Sequence, residues 1–494
     1  MNELNFKFDF SYTKLPRVFF SCLKPQTVKK PSLVMFNQNL AHDLGLFTQT
    51  ETGTIDQEKI EQILSGNKIL ADTQPYAQAY AGHQFGYPTV LGDGRAVVLG
   101  EHITKESKRF DVQLKGSGRT PYSRGGDGRA ALAPMLREYL ISEAMHALGI
   151  PTTRSLAVIA TGEDVYRETA LPGAILTRVA QSHIRVGSFE FAYLQNDIQI
   201  LQQLLEYSVC RHFPELKGEN NLAELFLQAV MDRQVDLMID WMRVGFVHGV
   251  MNTDNMSICG ETIDYGPCAF MDAFDMGVVF SSIDRHGRYA FGQQPNIAQW
   301  NLGVLAQCLA PLMANDAKDA YVIAKERVES FLPNFEKQWL SMMQKKLGLK
   351  SQQKGDLDLI KNLLTWMQKN KVDYTYTFYC LMQESLPNSD NEYDLIYKHK
   401  DFIHWYQQWK QRLKLEKYSE KNALKLMQKY NPVIIPRNYL VEEALQKAQN
   451  DHDLTLFKEM HAHLSKPYSE QKNCEYLIQP PKPEDQEYIT YCGT

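Results

Sequence analysis

The chain has 494 residues, a formal net charge of −5 and an isoelectric point near 6.3. Its length exceeds what one compact hydrophobic core usually supports, which predicts two or three folding units. The acidic balance argues against a nucleic-acid partner held mainly by phosphate contacts, and the absence of any run of about 18 apolar residues argues against a membrane span.

The N-terminal segment, residues 1–16, carries Glu3 and Asp9 among polar and aromatic residues. It lacks the apolar stretch of a secretory signal and the Arg-rich, acid-poor composition of a transit peptide. The eight cysteines are spread singly, without a C-x-x-C pair or a Cys/His spacing suited to zinc. We therefore expect a cytoplasmic protein whose thiols are mostly reduced.

A glycine-rich window follows, with ten of the 29 glycines between Gly82 and Gly128. Within it, Gly92 and Gly94 separate two apolar runs, which predicts a hairpin whose amide groups reach phosphate oxygens. An ordinary hairpin turn is the alternative interpretation, because Gly-x-Gly is common in turns.

Lys115 ends a strand-like segment, residues 110–114, in which apolar side chains alternate. The leucine spacing from 130 to 148 predicts a buried helix immediately afterwards. Kinase-like folds pair such a lysine with a helix glutamate, and helical periodicity leaves both Glu138 and Glu143 open as its partner.

A polar loop and two arginines add candidates for nucleotide contacts. The loop, residues 116–129, is either a flexible linker or a phosphate-contacting loop, with Asp127 and Gly128 near the start of the helix. Arg178 and Arg185 have the guanidinium geometry for two-point contacts with phosphate.

The order of elements along the chain indicates the fold class. Strand-like runs at 155–162 and 173–180 follow the helix, and the segments at about 190–247 and after 299 have helical composition. Strands around a single helix, followed by helices, predict an α+β protein.

The segment HGVMNTDN, residues 248–255, resembles a kinase catalytic loop without its usual aspartate. Val250 occupies the position two residues after His248, although Asn255 follows His248 at the expected interval of seven. Asp254 is the adjacent carboxylate that would replace the missing base.

Asp264 lies in the sequence I-D-Y-G, which resembles the metal-binding D-F-G of kinases. A short hairpin over 257–263 would bring Asn255 and Asp264 together at one divalent cation. Their oxygens are the ligands that Mg²⁺ shared with phosphates requires.

Long blocks of this sequence resemble the selenoprotein O family, which consists of pseudokinase-like protein adenylyltransferases. The resembling blocks are residues 80–101, 111–158, 245–274, 287–302 and 431–445. The resemblance implies a bilobal, protein-kinase-like α+β fold. With the composition changes along the chain, it predicts an N-terminal extension (1–75), a strand-rich N-lobe (76–190), a helical C-lobe (191–345) and a helical C-terminal region with a mobile tail (346–494).

The same resemblance implies that ATP binds in a reversed orientation and that AMP is transferred to Ser, Thr or Tyr hydroxyls of proteins, with Mg²⁺ or Mn²⁺ as cofactor. Asp254 would be the proton acceptor, Asn255 and Asp264 the metal ligands, and Glu138 the partner of Lys115. The residues that would bind ATP are Gly92, Gly94, Arg95, Lys115, Asp127, Gly128, Arg178 and Arg185.

Cys492 is the third residue from the C-terminus, the place that selenocysteine takes in some members of that family. The resemblance therefore suggests redox control through a reversible bridge, with Cys268 as a candidate partner.

Three other functions compete with AMP transfer. They are γ-phosphoryl transfer of the aminoglycoside-kinase type, UMP transfer with Mn²⁺, and ATP binding without catalysis. Val250 counts against ordinary phosphoryl transfer, because the usual base position is apolar. Lys115, Asn255 and Asp264 count against an inactive scaffold, because the set for metal and phosphate binding is intact.

Overall fold

A computed structural model describes residues 4–47, 56–71, 73–383, 386 and 392–482 of the chain. Cys492, and with it the predicted redox bridge and mobile tail, lies outside the described residues.

The strands lie in the first 270 residues. In the described part of the chain they are β1 (Phe8–Asp9), β2 (Phe20–Cys22), β3 (Ser32–Phe36), β4 (Tyr76–Gln78), β5 (Ala81–Gln84), β6 (Tyr87–Val90), β7 (Ala96–Ile103), β8 (Arg109–Lys115), β9 (Ala130–Ala131), β10 (Arg154–Tyr166), β11 (Ala170–Ala180), β12 (Phe246–Val247) and β13 (Ala269–Phe270).

One antiparallel sheet organises the strand-rich part. Its described strands run in the order β2-β4-β7-β8-β11-β10-β3, with β1 beside β7 and β9 beside β11. The strand-like segments predicted at 110–114, 155–162 and 173–180 are confirmed as β8, β10 and β11. Strands from the predicted N-terminal extension join the same sheet, and β5 pairs with β6 in a separate hairpin.

Helices make up most of the rest. Within the described residues they are α1 (Gln38–Asp43), α2 (Gln57–Leu64), α3 (Leu132–Ala147), α4 (Val186–Leu194), α5 (Ile198–His212), α6 (Leu222–Val244), α7 (Gln294–Leu309), α8 (Ala317–Glu329), α9 (Phe331–Lys346), α10 (Asp356–Asn370), α11 (Tyr374–Leu381), α12 (Glu392–Leu395), α13 (Lys400–Lys414), α14 (Glu420–Tyr430), α15 (Asn438–Asn450), α16 (Thr455–Leu464) and α17 (Glu475–Ile478).

Helix α3 connects the two kinds of structure. It packs on β10 and β11 with one side and on α15 and α16 with another, so it is buried over most of its length. Gly149, with a φ of +77°, follows its end in the left-handed conformation that glycine adopts readily. Because the helix is buried, charged side chains on it require partners.

The predicted α+β order is confirmed, since a strand-rich part precedes a helical part. The predicted unit boundaries near 75, 190 and 345 stay predictions; α4 crosses the second and α9 the third. Among the described helices, none combines the length and apolarity needed to cross a membrane.

Candidate active site

A cleft of about 560 Å³ brings distant parts of the chain together. Its walls come from the glycine-rich window, strands β8 and β11, and the loop between β12 and β13. The sequence-predicted site residues that line it are Gly92, Gly94, Arg95, Lys115, Asp127, Gly128, Arg178, Arg185, Asp254, Asn255 and Asp264.

Sheet register places Lys115 and Arg178 on the same face. Lys115 lies opposite Leu176, and Arg178 lies opposite Gln113, across the β8–β11 pair. Side chains of residues two apart in a strand share a face, so Lys115 and Gln113 point the same way, and Arg178 joins them. Two cations from neighbouring strands therefore enter the cleft side by side.

Glu138 on α3 accepts hydrogen bonds from both of these cations. Lys115 Nζ lies 2.6 Å from Glu138 Oε2, and Arg178 Nε lies 2.7 Å from Glu138 Oε1. Burial would raise the pKa of Glu138, but Arg178 and Lys115 hold it below its usual value. Glu143, the other glutamate left open by the sequence, pairs instead with Arg154 at 2.7 Å, outside the cleft.

Asp264 gathers three cations. Its Oδ1 accepts from Lys115 Nζ at 2.8 Å and from Arg178 Nη2 at 2.6 Å, and its Oδ2 accepts from Arg185 Nη1 at 3.1 Å. Burial opposes its ionisation, yet the charges of Arg178, Lys115 and Arg185 together hold the pKa of Asp264 well below its usual value. Asp264 is therefore a permanent anion in this cluster.

Asp254 has a different environment in the turn Thr253–Asn255. Its Oδ1 accepts a hydrogen bond from Gln84 Nε2 at 2.8 Å, while Arg185 Nη1 donates to its backbone carbonyl at 2.6 Å. Burial raises the pKa of Asp254 to about 7, and Arg185 opposes that rise only in part. A carboxyl with this pKa exchanges its proton near neutral pH.

Asn255 and Asp264 supply oxygen atoms suited to a hard divalent cation. Asn255 Nδ2 donates to the carbonyl of Val250 at 3.0 Å, which turns its Oδ1 away from that carbonyl. Both residues line the cleft. The donor chemistry therefore fits Mg²⁺ or Mn²⁺, with the remaining ligands left to nucleotide and water.

The predicted hairpin over 257–263 is wrong. Ser257 forms a β-bridge with Arg185, and Thr262 forms one with Thr152. Each end of the segment therefore pairs with another part of the chain. Asp264 follows with a φ of +64°, a left-handed conformation that Asp tolerates better than most residues. Asp264 is therefore positioned by pairing of the preceding segment with Thr152 and Arg185, not by a local hairpin.

The prediction of a hairpin turn at Gly92 and Gly94 is also wrong. The chain reverses at Phe85–Gly86, between β5 and β6, and the segment containing both glycines runs back beside residues 78–80. A Cβ on Gly92 would overlap the Tyr122 ring. The glycines thus allow the polar loop 116–129 to pack on this segment.

Asp127 and Gly128 end that polar loop. Asp127 forms a two-point ion pair with Arg167, with its oxygens 2.9 and 3.2 Å from the guanidinium, and this contact lowers the pKa of Asp127. Gly128 has a φ of +68°, and a Cβ there would overlap the carbonyl of Gly118. The loop is therefore an ordered wall of the cleft.

The cleft carries an excess of positive charge. Seven cationic side chains and four aspartates line it. The cations are Arg95, Lys115, Arg124, Arg129, Arg167, Arg178 and Arg185. A concave surface of this sign favours a polyanion such as a nucleotide triphosphate.

Sequence reasoning missed several residues of this site. Arg185 lies over the Tyr80 ring at 4.5 Å. Gln84 contacts Asp254, the carbonyl of Asn252 accepts from Asn255 N, and Arg167 pairs with Asp127. Tyr80 and Gln84 belong to the block 80–101 on which the resemblance rests. Membership in that block could have identified Tyr80 and Gln84 as candidates, but only its glycines and Arg95 were assigned a role.

The family described as "Protein adenylyltransferase SelO" matches residues 2–465. This chain belongs to that family. A protein of Alcanivorax borkumensis named "Protein nucleotidyltransferase YdiU" is 51% identical over 496 residues, covering all of both chains.

Two further relatives with the same name support the assignment. The protein of Syntrophotalea carbinolica is 50% identical and covers 99% of this chain and 97% of its own length. That of Bacillus cereus is 50% identical and covers 100% and 99%. The predicted class of enzyme, a nucleotidyltransferase of the adenylyltransferase family, is confirmed.

One solved structure has a weaker likeness. It is described as ROP2 from Toxoplasma gondii, a virulence factor with a protein-kinase fold and no enzymatic activity, and covers 68% of this chain and 87% of its own. At 12% identity and a TM-score of 0.24, it does not bear on the function.

Proposed function

We propose that this SelO family member transfers AMP from ATP to Ser, Thr or Tyr hydroxyls of proteins and releases pyrophosphate, with ATP bound in reversed orientation. One observation carries the proposal. The usual base position of a kinase loop holds Val250, whereas Asp254 lines the same cleft as the cations around Asp264. The base carboxylate would therefore occupy a different position relative to Lys115, Arg178 and Arg185 than it does in a kinase. This difference favours attack at a different phosphorus.

The cation cluster suits the β- and γ-phosphates of a reversed nucleotide. Lys115, Arg178 and Arg185 meet at Asp264 and are held in place by ion pairs with it. Positive groups held in place need no reorganisation as charge develops on the leaving pyrophosphate. In this orientation the α-phosphorus would lie toward Asp254.

The chemical step is an in-line displacement. The acceptor hydroxyl oxygen forms a bond to the α-phosphorus, the bond from that phosphorus to the α,β-bridging oxygen breaks, and pyrophosphate leaves with that electron pair. Asp254 takes the hydroxyl proton. Its pKa of about 7 suits a general base at neutral pH, since the ionised form is substantially populated there.

The other cleft residues would hold the nucleotide and the metal. Mg²⁺ or Mn²⁺ on Asn255 and Asp264 would offset phosphate charge when bound. Glu138 would hold Lys115 in place. Gly92, Gly94 and Arg95 would contact the nucleotide from one wall, and Asp127 and Gly128 from the other.

The label position in the product tests the proposal. The protein is incubated with candidate acceptor proteins in Mg²⁺ or Mn²⁺, with ATP labelled at the α- or the γ-phosphate, and in parallel with α-labelled UTP. We expect α-label on the acceptor, and γ-label on released pyrophosphate. Acceptor carrying γ-label alone would identify a kinase, bound ATP with neither label transferred would identify a scaffold, and preferential transfer from α-labelled UTP would identify a UMP transferase.

A further inference from the structure

The β5–β6 hairpin lies directly against the loop that carries Asp254. His83 N donates to Thr253 Oγ1 at 2.7 Å, and Phe85 N donates to Asn252 Oδ1 at 3.1 Å. These contacts join parts of the chain about 170 residues apart. The hairpin therefore forms part of the wall around the proposed base.

The backbone contact fixes the orientation of two side-chain amides. A backbone N–H only donates, so the atom of Asn252 that faces Phe85 N is its oxygen. Tyr289 Oη also donates to that oxygen, at 2.6 Å. The amide nitrogen of Asn252 must then face Gln84, and it donates to Gln84 Oε1 at 3.1 Å.

This orientation decides what Gln84 offers to Asp254. With Gln84 Oε1 used as an acceptor, its Nε2 is the atom 2.8 Å from Asp254 Oδ1 and must donate to it. Gly82 packs on the same oxygen, since a Cβ there would lie 2.5 Å from Asp254 Oδ1. One carboxylate oxygen is thus held on the hairpin side.

We propose that Gln84 is a positioning residue, which fixes Oδ1 of Asp254 so that Oδ2 receives the proton of the acceptor hydroxyl. The inference rests on the proposed function, because it takes Asp254 as the base. Asn252 acts one step further away, since it sets the direction of the Gln84 amide. Tyr289 contributes least to this orientation, because the hydrogen bond from Phe85 N already fixes the amide of Asn252.

Two substitutions at Gln84 separate positioning from packing. Gln84→Met keeps the length of the side chain but removes the donor, and Gln84→Glu keeps the shape but presents an acceptor to Asp254. We expect each to lower the single-turnover rate of AMP transfer about 10- to 100-fold. For Gln84→Met, which adds no charge, the affinity for ATP should stay within about twofold, because Gln84 acts on the base rather than on the phosphate-binding cations.

A matched control comes from the C-terminal region. Gln471 is also half-buried, donates through Nε2 to the carbonyl of His463 at 2.9 Å, and lies outside the cleft. Gln471→Met should leave the transfer rate and ATP affinity unchanged.

Asn252→Asp tests the relay itself. The substitution retains an oxygen for Phe85 N and Tyr289, but puts a second oxygen opposite Gln84 Oε1. The Gln84 amide should then turn over and present its oxygen to Asp254, lowering the transfer rate as Gln84→Met does. Because this effect passes through Gln84, the double variant Gln84→Met/Asn252→Asp should be no slower than Gln84→Met alone.

The results overturn the inference in defined ways. A wild-type rate in Gln84→Glu would show that shape alone matters, and additive losses in the double variant would show that Asn252 does not act through Gln84. Equal losses of rate and ATP affinity would indicate general damage to the cleft. Failure of the wild-type protein to transfer α-label would instead remove the proposed function, and the inference with it.

Discussion

Asp254 and Asp264 line the same cleft, yet their surroundings shift their pKa values in opposite directions. Asp264 contacts three cationic side chains, which hold its pKa well below the usual value. No cation donates to the Asp254 carboxylate among the described hydrogen bonds; the neutral amide of Gln84 does, and burial raises the pKa of Asp254 to about 7. Two identical side chains therefore suit different roles in the proposed function: Asp264 would be the fixed anion that organises cations and metal, and Asp254 would be the protonatable group that serves as base.

The largest effect is expected at the fixed anion. Asp264→Asn removes the charge that Lys115, Arg178 and Arg185 share, together with a proposed metal ligand, so transfer of labelled AMP should fall about 10³-fold or more. Asp356→Asn is the matched control, because Asp356 is buried against Arg412 at 2.6 Å but lies outside the cleft. Similar losses of activity in both variants would contradict a specific role for Asp264.

The glutamate behind this cluster should have a smaller effect. Glu138→Gln weakens the anchor of Lys115 and Arg178, and we expect transfer to fall about 10²-fold because the cations are misplaced. Glu143→Gln lies on the same helix, also buried and ion-paired, but its partner is Arg154. The ratio of the two transfer rates measures how much the contact of Glu138 with Lys115 and Arg178 contributes to transfer. Equal rates would contradict the assignment of Glu138.

The same substitution should change stability in opposite directions at the two aspartates. Asp264→Asn leaves buried cations short of an anion, a change that costs on the order of 3 kcal/mol. Asp254→Asn removes a carboxyl whose ionisation is unfavourable in the folded protein. At pH 8 the Tm should therefore fall for Asp264→Asn and rise by a few degrees for Asp254→Asn, as measured by calorimetry without divalent metal; two shifts of the same sign would contradict the comparison.

The pH dependence of that gain has a defined sign. The pKa of Asp254 is about 7 in the folded protein, against a usual value of 3.8. Between these values the folded state keeps a proton that the unfolded state has lost, so the contribution of Asp254 to stability decreases as pH rises. The Tm difference between Asp254→Asn and wild type should be small at pH 5 and grow toward pH 8. A difference that is constant over this range would contradict the raised pKa.

Sequence patterns predicted most of the regular structure around this site. Alternating apolar residues identified β8, strand-like runs identified β10 and β11, and leucine spacing identified α3. Each of these elements buries at least one apolar face, so apolar residues recur along it at a regular interval. The order of glycine segment, lysine, helix glutamate and loop carboxylates then indicated one cleft.

What the sequence did not predict depends on pairing between distant segments. Helical periodicity could not choose between Glu138 and Glu143, because both glutamates are buried on α3, and only the family resemblance favoured Glu138. The turn at Phe85–Gly86 was missed because local glycine content favoured Gly92 and Gly94. Gln84 carries no motif of its own, and its role appears only when the hairpin meets the loop of Asp254.

The most direct test of this account is a single-turnover reaction with α-labelled ATP already bound, comparing wild type with Asp254→Asn. ATP affinity is measured in parallel, so that binding and chemistry are separated. We expect the variant to bind ATP within about threefold of wild type, because the cations at Asp264 are untouched, and to transfer AMP about 10²- to 10⁴-fold more slowly. An unchanged transfer rate would show that Asp254 is not the base, and would contradict the central claim.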